Sequence, residues 1–161
     1  MVHSLVLLEP ALLATPSGPE FGAKTVEPAY RAYAAGDRER ALDIFMRGVE
    51  GPRYREHLGS GLPAGAWEEA LVDLDTLFQV ELPALLRWQF GPEEARRITQ
   101  PVLSVTGSET VPAIRESHDV ILSWLIQAEA YVVPTATHAL QMMNPRGVAQ
   151  GPTPFFARHS V

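Results

Sequence analysis

The sequence predicts an α/β fold with about three parallel strands, flanking helices and a long helical insert. Three observations carry this. Three short apolar runs, Leu5–Leu8 (LVLL), Val102–Val105 (VLSV) and Ala130–Val133 (AYVV), do not alternate polar with apolar residues, as expected of strands in a parallel sheet covered on both faces. Each ends in turn-type or small residues. Helical patterns separate them, which is the strand–helix order of an α/β fold.

The chain has 161 residues, a length that suits one domain with a single substantial core. Apolar residues make up 46% and charged residues 20%, the balance of a folded chain rather than a disordered one. A net charge of −6 argues against nucleic acid, because phosphate binding needs clustered Lys and Arg. The absence of cysteine excludes disulfides, thiolate metal sites and a cysteine nucleophile. The opening MVHSLVLLEP has no basic leader, and Glu9 and Pro10 interrupt its short apolar run, so it does not read as a signal peptide. No stretch approaches the ~18 apolar residues of a membrane span. A cytoplasmic chain without membrane partners is expected.

In chain order, LVLL is the first strand and 13–22 (LATPSGPEFG) the linker into the insert, which spans 25–98. In ERALDIFMRGVEG, residues Ala41, Leu42, Phe45 and Val49 share one face at helical spacing. Asp37 is placed as N-cap and Gly51 as stop. GAWEEALVDLDTLFQVELPALLRW carries Trp67, Ala70, Leu71, Leu74, Phe78 and Leu82 as a stripe at steps of three and four. Pro83 should kink or end that helix. GSGLPAG follows REHL rather than a strand and reads as a loop, not a phosphate cradle. Residues 98–101 lead out of the insert into VLSV. AIRESHDVILSWLI is a helix with Ile114, Ile121, Leu122 and Leu125 inward and Ser117–Asp119 on a solvated face. After the third strand, Pro145 suits a first helical turn, and Gly151, Pro152 and Pro154 should break that helix early. Among the histidines, His3, His57, His118, His138 and His159, no pair has H-x-x-x-H spacing. Neither a metal site nor a cofactor is expected.

This order of elements resembles the C-terminal part of an α/β-hydrolase-fold enzyme of the esterase and enol-lactonase-like kind. SLVLLEP looks like the sixth strand of that fold, and the insert, including AAGDRERALDIF, looks like its cap. ITQPVLSVTGSE is similar to the seventh strand with its lead-in. AEAYVVPTATHA, NPRGVAQ and FFARH resemble the eighth strand, the catalytic-histidine loop and the closing helix. The likeness covers nearly the whole chain.

The resemblance implies that His138 is the general base and acid, a task suited to an imidazole whose pKa lies near working pH. Read alone, His138 is equally a loop residue without a role. TAT before it replaces the glycine-rich turn usual in the family. The carboxylate that orients the histidine usually follows the seventh strand. There GSET puts Thr110 at the position, with Glu109 one residue early. Other branches place the acid at the tip of the sixth strand, where Glu9 stands. A carboxylate directly after four apolar residues needs a partner, which makes Glu9 the first choice and Glu109 the second. Glu9 also reads simply as the start of a solvated loop. Trp67, Phe78, Trp88 and Phe90 are candidates for an apolar substrate pocket, although such stripes are more often packing.

The family's nucleophile sits on a G-x-S-x-G elbow. No serine or aspartate here has glycine both two residues before and two residues after it. Two readings follow. The chain is the histidine-bearing part of a hydrolase for small acyl compounds, inactive in isolation, or it is a non-catalytic remnant serving binding or self-association. In either case Leu5–Leu8 should be an open edge that pairs with a second copy or with a separate N-terminal half, and Met1 need not be the true start.

Overall fold

In a computed structural model describing residues 2–12, 14–59 and 61–159, three strands form one parallel sheet. They are β1 (Leu5–Leu8), β2 (Val102–Gly107) and β3 (Ala128–Val133), in the spatial order β1-β2-β3. The register pairs Leu5 with Val102 and Val102 with Ala128. The two later strands are longer than their apolar runs: β2 continues through Thr106 and Gly107, and β3 starts at Ala128.

Among the described residues, seven α-helices lie between β1 and β2: α1 (Gly18–Phe21), α2 (Glu27–Ala34), α3 (Arg38–Glu50), α4 (Tyr54–Gly59), α5 (Ala66–Thr76), α6 (Leu82–Arg87) and α7 (Pro92–Ala95). Then α8 (Pro112–Trp124) joins β2 to β3, and α9 (Leu140–Met143), α10 (Pro145–Gln150) and α11 (Pro152–Arg158) follow the sheet. Among the described residues no helix is long and apolar enough to cross a membrane.

Strand alternation sends successive side chains to opposite faces. Leu103, Val105 and Val133 pack with Leu140 and Phe155 on the side of α9–α11. Val102 packs with Leu12, Ala95, Ile121 and Leu125 on the side of α7 and α8. The central strand β2 is buried throughout, while Leu8 and Val132 on the flanking strands are 44% and 47% exposed. Leu5 and Glu9 donate their N–H groups to Pro101 and Val105. By the alternation of a parallel ladder, Val6 and Leu8 turn theirs outward, and no described strand pairs with that edge. The linker runs elsewhere. Leu12 N–H meets the Ser117 hydroxyl at 3.1 Å, and Ser17 N–H donates to Glu116 at 2.7 Å, pinning the segment to α8.

The insert has its own core of Ala29, Ala41, Leu42, Leu74, Phe78 and Leu82. Asp37 caps α3 by accepting from Arg40 N–H at 3.2 Å, and Gly51 ends it with φ 92°. Pro83 neither ends nor breaks its helix. A π-helical turn, Leu77–Glu81, precedes it and carries α5 into α6, with Leu82 N–H reaching back to Leu77. The same device, Gly22–Val26, precedes Pro28 in α2. Widening the turn accommodates a ring that would otherwise meet the carbonyl four residues back. α3 also approaches the Gly22–Val26 turn so closely that a β-carbon at Gly48 would lie 2.0 Å from Thr25 Cγ2.

One reading of α8 is corrected. Ser117 and His118 are buried, not solvated. The Ser104 hydroxyl lies 2.7 Å from His118 Nδ1, and Ser117 donates to Ala113 C=O or Leu12 C=O. A helix packed against a sheet hides polar residues wherever the sheet supplies polar partners, a pairing invisible to apolar periodicity. Met1, Leu13, Ser60 and two residues at the C-terminus lie outside the described residues.

Candidate active site

Glu9 follows the last residue of β1, Gly107 ends β2, and His138 lies on the loop after β3, so the parallel sheet brings all three to one edge. His138 Nδ1 is 3.3 Å from Glu9 Oε2. Glu9 is only 4% exposed, and its carboxylate accepts three further hydrogen bonds. The Thr106 hydroxyl and Gly107 N–H reach Oε1 at 2.7 and 2.5 Å, and the Thr110 hydroxyl reaches Oε2 at 2.7 Å. Burial alone would raise the pKa of this carboxyl. The bonds from His138, Thr110, Gly107 and Thr106 together outweigh it and hold the group below its ordinary value. Glu9 is therefore ionised at neutral pH and can only accept. In the neutral ring of His138 the proton then sits on Nδ1 and the lone pair on Nε2.

The backbone at Glu9 is held in an unusual place, with φ 47°. A residue bearing a β-carbon pays roughly 1–2 kcal/mol there, a conformation kept only where surrounding contacts over-determine it. The four hydrogen bonds provide that constraint. Gly107 serves twice. Its N–H binds Glu9, and its missing side chain lets the histidine loop pass, since a β-carbon would lie 2.1 Å from Ala136 C=O.

The loop closes without the glycine turn. Thr135 takes φ 52°, and its N–H donates to the Ser108 hydroxyl at 2.8 Å, while Glu109 N–H donates to Ala136 C=O at 2.9 Å. Glu109 thus touches the loop through its backbone, but its side chain is exposed and makes no bond to His138. Thr110, at the position where the resemblance implies an acid, instead donates to Glu9.

On the other side of the loop stands a carboxyl that the sequence reading did not single out. Glu50, the last residue of α3, is 4% exposed and accepts from the Thr137 hydroxyl at 2.5 Å. A cavity of about 200 Å³ lies between the insert and the sheet edge, lined by apolar residues, Glu50 and His138. Phe45, Met46 and Val49 of α3 and Leu82 and Leu85 of α6 form much of its wall, with Leu12 and Ile114 beneath. The one available hint of Glu50 was its place in a last helical turn, where the helix dipole disfavours an acidic residue.

The four aromatic residues named for the pocket do not line this cavity. Trp67 stacks on Tyr54 at 5.9 Å under the Arg55 guanidinium, and Trp88 stacks on Phe90 at 5.4 Å and is 55% exposed. Phe78 is fully buried against Tyr33 at 4.7 Å and meets a separate outer groove. Helical periodicity finds the inward stripe, but that stripe serves the insert's own core. Among the described residues no group of three or more His, Asp and Glu is placed to hold a metal.

No protein-family model matches the chain, and no curated protein matches it. Solved structures do. A serine hydrolase involved in carbazole degradation is 17% identical with a TM-score of 0.59, over 98% of this chain and 55% of its own. The carboxylesterase CesB from Bacillus subtilis is 16% identical with a TM-score of 0.57, over 98% and 52%. A further Bacillus subtilis protein described as a hydrolase is 22% identical with a TM-score of 0.53, over 96% and 52%. Identities this low speak for the fold alone. The chain is a partial α/β-hydrolase fold, consistent with its C-terminal part, and spans about half the length of the structures it matches.

Proposed function

We propose that this chain carries the base-and-acid half of a serine-hydrolase site for small acyl compounds, with His138 as general base and Glu9 as the carboxylate that orients it. The observation carrying this reading is the His138–Glu9 pair, a strained, four-donor carboxylate beside an accessible imidazole at the C-terminal edge of a parallel sheet. Glu9 fixes the tautomer and stabilises the imidazolium that forms when Nε2 takes a proton. The nucleophile and the oxyanion donors come from a polypeptide bearing the earlier strands, for which the outer edge of β1 is the place of pairing.

The test is a chimera joining the first half of a serine esterase of this fold, through its elbow, to this chain at β1. A folded chimera should hydrolyse a nitrophenyl ester, and His138→Ala should lower turnover by roughly 10²–10⁴-fold. A folded chimera without turnover overturns the reading. The chain alone should show none, and His138-dependent turnover by it would mean that the nucleophile lies within these residues.

A second reading, a non-catalytic module that self-associates, is favoured by the same unpaired edge. Two copies pairing Leu5–Leu8 antiparallel about a two-fold axis would satisfy it. A monomer by light scattering at tens of micromolar would remove that reading.

A further inference from the structure

Glu50 is as buried as Glu9 but far less satisfied. An ionised carboxylate offers about four acceptor sites, and Glu9 meets four donors. Glu50 meets one, the Thr137 hydroxyl, and no Arg, Lys or His among the described residues lies within ion-pair distance of it. The Thr137 hydroxyl is itself shared, since Met143 Sδ lies 3.0 Å away as a competing acceptor. Among the described residues, the buried side-chain atoms without a partner do not include a Glu50 oxygen, so the carboxyl of this largely buried residue takes its remaining donors from water or a ligand in the cavity it lines. The remaining lining is apolar except for His138.

We propose that Glu50 is the polar anchor of this cavity, selecting a ligand with a short apolar body that ends in an amine. An ammonium donates up to three hydrogen bonds and brings the opposite charge. A hydroxyl brings one donor and no charge, and a carboxylate brings only acceptors. The cavity of about 200 Å³ has room for about seven water-sized groups, which sets the size of the body. The inference rests on the hydrolase reading only for the word substrate: under it, the ligand is an amine-bearing acyl compound whose reacting end faces His138.

The experiment titrates the whole chain at neutral pH with hexylamine, 1-hexanol and hexanoate, followed by amide NMR shifts at Val49, Glu50 and Ile114. Hexylammonium should bind about tenfold more tightly than hexanol, and hexanoate should not saturate. Glu50→Gln should weaken hexylammonium about tenfold and leave hexanol within twofold. Glu50→Asp, which withdraws the carboxyl by one methylene, should keep the preference for amine. Equal binding of the three probes overturns the proposal, as does an amine preference that survives Glu50→Gln. If Glu50→Gln does not fold, the wild-type series and Glu50→Asp still decide. A chimera that turns over esters without amine preference would sink this inference alone. Amine preference with a folded, inactive chimera would sink only the hydrolase reading.

Discussion

Two buried glutamates flank the histidine loop, one at the tip of β1 and one at the end of α3. They have the same exposure, 4% each, and opposite surroundings. The tip of β1 is finished: backbone strain, a glycine contact and four hydrogen bonds all serve one carboxylate. The end of α3 is unfinished, with one shared hydroxyl for a carboxyl of the same kind. The difference separates a group held still from a group left available. A sheet edge fixes its residues from several strands at once, whereas a helix end meets the loop across a cavity.

The largest expected effect breaks this comparison directly. Glu9→Ala removes the only acceptor of Gly107 N–H among the described residues and strands two threonine hydroxyls. Each buried donor left unpaired costs about 1–3 kcal/mol. The hydroxyls can turn elsewhere but the amide cannot, so the net loss should be about 3 kcal/mol, on the order of 10 °C in melting temperature. Glu50→Ala forfeits one hydrogen bond and relieves an under-partnered carboxyl, so it should change stability by about 1 kcal/mol or less. Thermal melts of the two variants make the check. Similar losses in both would mean that the two carboxyls are equally built in.

Half of this contrast was legible in the sequence. Glu9 stood out because a carboxylate directly after four apolar residues needs partners, and His138 because of its place after the third strand. The donors were not legible. Thr106, Gly107 and Thr110 become neighbours of Glu9 only through the β1–β2 register, and sequence separation gives no warning of that. The three strands were found by their apolar runs, since a buried parallel strand leaves an unbroken signature. The lining of the cavity at His138 was not legible, because a periodic aromatic stripe reports which helix face is buried, not what buries it. Glu50 was missed because one acidic residue at a helix end resembles any solvated one.

A middle-sized effect sharpens the comparison through pH. Burial holds the His118 imidazole below its ordinary 6.5, with the Asp119 charge opposing. Glu9 lies below its ordinary 4.5 for the reasons given above. Both folded values are depressed, so in each case the unfolded chain binds protons first as pH falls. Stability from each group is complete above its unfolded value and is lost as pH falls through the folded one. Melting temperature should therefore decline in two stages, first below 6.5 for His118 and then below 4.5 for Glu9. His118→Gln should remove the first stage and Glu9→Gln should shrink the second. The half-buried Asp43 and Glu116 and the exposed Asp75 and Glu129 are also held low by their partners, so the second stage should persist in part. A melting temperature flat from pH 7 to 5 would mean that His118 is not held neutral by burial.

The smallest effect tests the loop strung between the two carboxyls. Thr137 reaches Glu50 and His138 reaches Glu9, and both depend on Thr135, whose φ of 52° turns the chain out of β3. A β-branched residue is poorly suited to that conformation, at a cost of roughly 1–2 kcal/mol, while glycine gives back about 0.5–1 kcal/mol through the freedom of its unfolded chain. Thr135→Gly should therefore raise stability by about 0.5 kcal/mol, and its N–H can keep the bond to the Ser108 hydroxyl. Ser108→Ala removes that acceptor and should lower stability by about 1 kcal/mol. Melts read the sign, and the His138 ring signals in NMR read the consequence. If the loop is positioned by the two carboxyls, Thr135→Gly should leave the His138 Nδ1–Glu9 contact unchanged. If the contact weakens as stability rises, the strained turn itself is aiming the histidine.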